Sequence, residues 1–84
     1  MTDVTAVTTQ QPFDFMYDAP LFSVNPGVCI EDALERAADL MLYAESLAAA
    51  DAFINKALER AIIQTLSEMG KALANACRQG RAKP

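Results

Sequence analysis

The sequence predicts an all-α protein: a two-helix antiparallel hairpin, about residues 30–48 and 52–79, with an extended N-terminal leader, dimerising into a four-helix bundle. Three observations lead there. Two long stretches repeat apolar residues at helical spacing. A Pro-Gly pair followed by a cluster of acids separates them from an aromatic leader. A lone helical hairpin also leaves an apolar strip wet, and a second copy is the commonest cover.

Residues 1–11, MTDVTAVTTQQ, show no helix or turn pattern and predict a disordered arm. Residues 12–28 form the leader. Four of the six aromatics lie in it: Phe13, Phe15, Tyr17 and Phe22. Phe13, Phe15 and Tyr17 alternate with Asp14 and Met16, which is strand spacing, and Pro12 and Pro20 keep the segment out of a helix. A strand pair alone is barely stable. The leader therefore lies on the helices, pairs with its copy through Leu21 to Val24, or waits for a partner.

Asn25-Pro26-Gly27 is a turn, with Gly27 free to take a positive φ after proline. The hairpin domain covers residues 29–80. Cys29 stands at the N-cap, and Glu31, Asp32 and Glu35 place negative charge at the positive end of the helix dipole. Ile30, Leu34, Ala37, Met41, Ala44 and Ala48 follow at alternating steps of four and three, a seam suited to helix packing. Leu42 and Tyr43 miss that face and suggest a second contact surface. A tight turn is expected near residues 48–52, with Asp51 as the next N-cap; one continuous helix is the alternative, since no Gly or Pro intervenes. Ile54, Leu58, Ala61, Ile62, Thr65, Leu66, Met69, Ala72, Leu73 and Ala76 make the apolar face of the second helix, and Gly80 suits its C-terminal end. Gly70 inside that helix points to a close crossing or to chance. Residues 81–84 are a tail.

Eighty-four residues make one small domain near the limit of independent stability. Two widely spaced cysteines and no histidine make a zinc site or a disulfide framework improbable, which leaves oligomerisation as the stabilising device. No secretory signal or apolar membrane span is visible, so a soluble cytoplasmic protein is expected. The net charge of −4 argues against a nucleic-acid surface, and the basic end RQGRAKP lacks interleaved aromatics. There is no Ser/His/Asp set, no CxxC and no phosphate loop, so no catalytic residue, metal or cofactor is assigned. Cys29 reads as packing, with a reactive helix-end thiol as the other reading.

LFSVNPGVCIEDALERAADLMLYAESLA, together with LSEMGKALANA at residues 66–76, resembles a family of short bacterial proteins of unknown function common in pseudomonads. Its pattern joins a Phe-x-Val-x-Pro-Gly-Val leader to two helices. The resemblance covers about residues 20–77 and implies no activity.

These features together predict a non-enzymatic homodimer serving as a protein-interaction or regulatory module. Its dimer core would be Ile30, Leu34, Ala37, Met41, Ala44, Leu58, Ile62, Leu66, Met69 and Leu73. Its partner contacts would be Phe13, Phe15, Tyr17, Leu21, Phe22, Leu42 and Tyr43, since aromatic anchors dominate binding hot spots. The alternatives are an inhibitor- or antitoxin-like binder that completes another protein's core, and an apolar-ligand carrier.

Overall fold

The computed structural model describes residues 6–82. It corrects the all-α expectation. The chain is α+β, in the order β1 (Gln11–Met16), β2 (Ala19–Val24), α1 (Ile30–Ala50) and α2 (Lys56–Ala82). The leader is a two-stranded antiparallel hairpin, with Phe13 opposite Phe22, Phe15 opposite Pro20 and Met16 opposite Ala19. Alternation within the leader is visible in sequence, but the reversal is not. It occurs at Tyr17-Asp18, where Tyr17 takes φ +57° instead of the usual Asn or Gly.

The hairpin lies along α2 and makes no contact with α1. Val24 packs with Ala72 and Ala76 of α2, and Phe13 closes over them. That packing on a helix supplies the support a lone strand pair lacks.

Residues 6–10 do not form the loose arm that was expected; residues 1–5 of that arm lie outside the described residues. Thr8 is 2% exposed, and its hydroxyl donates to the Asn25 carbonyl (2.8 Å) and accepts from the Val28 N–H (3.0 Å). The Thr8 N–H donates to the Val28 carbonyl, and the Gly27 N–H donates to the Thr8 carbonyl. Four hydrogen bonds thus clamp the Pro-Gly corner, where Gly27 takes the positive φ of +87° that a turn after proline requires. The Ile30 N–H at the start of α1 donates to the Ala6 carbonyl. The thiol of Cys29 makes no capping bond, and the backbone of residues 6–10, a strap across the corner, supplies the missing acceptor.

α1 runs two residues beyond the expected end. Asp51 closes it as a left-handed C-cap (φ +50°), its N–H reaching the Leu47 carbonyl, and does not open α2. The N-cap of α2 is Asn55, whose side-chain oxygen accepts from the Leu58 N–H at 3.0 Å. The connection is therefore residues 51–55, and Ile54, expected on the apolar face of the second helix, stands fully exposed in it. α2 continues through Gly80, which is not a helix stop.

The two helices pack antiparallel. Ile30, Ala33, Ala37, Leu40 and Ala44 are the buried face of α1. Ile30 and Ala33 meet Cys77, with Leu34 and Leu73 packed around them. A Cβ on Gly70 would lie 3.1 Å from the Met41 sulfur and 3.4 Å from the Ala37 carbonyl oxygen, so this glycine marks a close crossing. The fold is long and thin, 52 × 30 × 14 Å. Its radius of gyration is 14.9 Å, against about 12 Å for a compact chain of this length. At 27 residues, α2 alone spans about 40 Å.

Candidate interaction surface

The residues expected in a dimer core divide into two sets. Ile30, Ala37 and Ala44 are buried inside one chain, between α1 and α2. The larger side chains are not. Met41 is 45% exposed, Leu58 50% and Met69 37%, while Leu34, Ile62, Leu66 and Leu73 are half-buried. Leu58, Ile62, Leu66, Met69 and Leu73 advance by steps of four and three and so share one face of α2. Leu34 and Leu73 pack on the same cluster, and Met41 lies against Gly70. The half-buried set is therefore one apolar strip along the α1–α2 pair.

Small side chains explain why the strip stays open. The fully buried core is built of Ala33, Ala37, Ala44, Ala72, Ala76 and Cys77 with Ile30 and Leu40. Alanines let the helices approach closely but fill little volume, so the bulky neighbours remain at the margins.

Beside the strip lies a groove of about 460 Å³ between the hairpin and α2. Phe13 and Phe22 form one wall, their rings stacked at 5.8 Å across the strands. Ala61, Thr65 and Met69, one row at steps of four, form the floor. Asp14, Gln64 and Glu68 complete the lining. Among the described residues its two charged lining groups are both acidic, and Lys71 stands beside the same Asp14 and Glu68 in a smaller adjoining cavity.

The residues expected at partner contacts do not converge on one place. Phe13 is half-buried at the root of the hairpin, Phe22 lines the groove, and Phe15, Leu21 and Tyr17 project from the hairpin, Tyr17 at 95% exposure. Leu42 and Tyr43 are exposed on α1, which the hairpin does not touch.

Several residues of this surface were not anticipated. Gln64 and Glu68 lie off the expected apolar face of the second helix, which takes in Ala61 and Thr65, and only the hairpin's position joins the four in a groove. Glu59, at 9% exposure, is a buried acid near the start of α2. Its Oε1 lies 3.6 Å from the Lys56 ammonium, which also pairs with Asp51, and its Oε2 has no hydrogen-bond partner among the described residues.

Cys77 is buried, its thiol 3.8 Å from the Ile30 carbonyl oxygen, and Cys29 is half-buried. Among the described residues no group of three acids or thiols is placed to hold a metal ion. No described helix is long and apolar enough to cross a membrane.

A family model described as "Protein of unknown function (DUF3077)" matches residues 7–79, and the chain belongs to that family. The match takes in Thr8 and both strands as well as the helices, a wider span than the resemblance through residues 20–77. Comparison with curated proteins and with solved structures finds no match.

Proposed function

We propose that this member of the family is a non-enzymatic protein-interaction module that works in the cytoplasm as a homodimer. The observation that carries the reading is the α2 face Leu58, Ile62, Leu66 and Met69, left partly exposed, with Met41 of α1 exposed beside Gly70, on a thin chain with a small-residue core. Contiguous exposed apolar surface of this kind marks association sites in soluble proteins. A two-fold axis along the strip would bury each copy's strip against the other's. In this reading the hairpin and its aromatics stay outside the dimer, available to a partner.

The test is sedimentation velocity on the full chain and on Leu58→Glu. A charge at the half-exposed Leu58 leaves the buried face of each helix untouched but cannot be buried at an interface without heavy cost. The expected result is a shift to the monomer with helical circular dichroism retained. Unchanged sedimentation of the variant would contradict self-association through the strip.

A second reading, a binder that completes a different protein's core, is favoured by Phe15, Tyr17 and Phe22, exposed together on the hairpin. It predicts a monomer for the unaltered chain as well.

A further inference from the structure

We propose that the groove between the hairpin and α2 docks an amphipathic helix with basic flanks. The inference rests on the reading of the protein as an interaction module but not on its self-association, with Met69 common to the edge of the strip and the groove floor.

Shape and chemistry both point to that occupant. The floor, Ala61, Thr65 and Met69, runs two helical turns along α2. Ala61 and Thr65 are small, and the stacked Phe13–Phe22 pair opposes them, so the groove takes a short row of bulky aliphatic or aromatic anchors. A helix presents such anchors on one face at steps of three and four, the helix-in-groove mode of recognition. Its next residues outward would meet the rim, where Asp14 and Glu68 are the charged groups of the groove itself and Lys71 joins them only in the smaller cavity alongside. Lysine or arginine there is complementary, and acids are repelled.

The same charge pattern argues against a second copy as the occupant. α1 carries Glu31, Asp32, Glu35, Asp39 and Glu45 against a single base, Arg36. The basic stretch of α2 around Arg78 already spends its apolar residues, Ala72, Ala76 and Cys77, on the chain's own core.

The test uses the full-length protein and two labelled helical peptides with the same leucine face. One has lysines on its polar face, the other glutamates. Binding is read by fluorescence anisotropy at physiological ionic strength. The lysine peptide is expected to bind and the glutamate peptide not. Asp14→Asn combined with Glu68→Lys is expected to weaken binding about tenfold. Asp32→Asn with Glu35→Lys makes the same change of net charge on the exposed outer face of α1 and is expected to leave binding within about twofold. Thr65→Trp fills the floor and is expected to abolish binding with the helical spectrum intact. Equal loss from both charge pairs would show general attraction to an acidic protein and overturn the proposal. So would equal binding of both peptides, no binding at all, or binding that survives Thr65→Trp. Leu58→Glu separates the two claims. Loss of self-association with peptide binding kept supports the groove as an independent site, and loss of peptide binding in a folded Leu58→Glu monomer assigns the peptide to the strip and overturns the groove.

Discussion

The backbone of Val7 crosses α2 at Gly80 so closely that its carbonyl occupies the space where a Cβ on residue 80 would stand. This contact ties the two ends of the described chain together and explains a glycine inside a helix. The adjacent Thr9 N–H donates to the Ala76 carbonyl at 3.2 Å, one turn before Gly80. The strap therefore rests on bare helix backbone.

Gly80→Ala tests that relationship through the sign of its effect. In an exposed helix interior the change stabilises by about 1 kcal/mol. Here backbone atoms must move, so a loss of about 1–3 kcal/mol is expected. Gly70→Ala is the control. Its nearest contact is the sulfur end of the flexible Met41 side chain, so helix propensity and crowding nearly cancel and a change within about 0.5 kcal/mol is expected. Urea unfolding of both variants gives the comparison, and stabilisation by Gly80→Ala would remove the strap from this account.

Thr8→Val keeps the shape of a side chain that is 2% exposed and deletes its hydroxyl. The Asn25 carbonyl loses a donor and the Val28 N–H loses an acceptor at the Pro-Gly corner. A loss of about 2 kcal/mol is expected. Faster amide exchange at Gly27 and Val28 would localise it. Thr9→Val, whose hydroxyl makes only longer bonds of 3.3 and 3.4 Å, is expected to cost less than half as much.

Lys56→Met leaves the buried Glu59 carboxylate without its nearest counter-charge. Lys56 is itself half-exposed, so the pair is partly screened and a loss of about 1 kcal/mol is expected. Adding Glu59→Met removes the stranded charge and is expected to recover that loss. A double variant less stable than Lys56→Met would show that Glu59 contributes by some route other than this ion pair. Thermal unfolding of the unaltered chain, Lys56→Met, Glu59→Met and the double variant completes the cycle.

What was legible in the sequence was local. The helix seam identified Ile30, Ala37 and Ala44, and the Pro-Gly corner and the acids after Cys29 marked the start of α1. The features that were missed depend on residues distant in sequence. Thr8 is bound to Asn25, 17 residues away, and Thr9 to Ala76, 67 residues away, so nothing within their own segment announces order. Tyr17 takes a left-handed turn that side-chain type does not favour, which hid the hairpin. Asp51 suits either end of a helix in sequence. Its left-handed backbone makes it a C-cap, and Asn55 four residues later does the N-capping. The strip was legible as an apolar face, whereas its division into buried alanines and half-exposed Leu and Met required the packing of α2 between α1 and the hairpin.

The most direct test of the central claim is the mass of the unaltered protein in solution, by light scattering on a sizing column at micromolar concentration. The account predicts about twice the chain mass of 9.1 kDa, held on dilution. A folded species at the mass of one chain would contradict it and leave the strip of Met41, Leu58 and Met69 to a different protein.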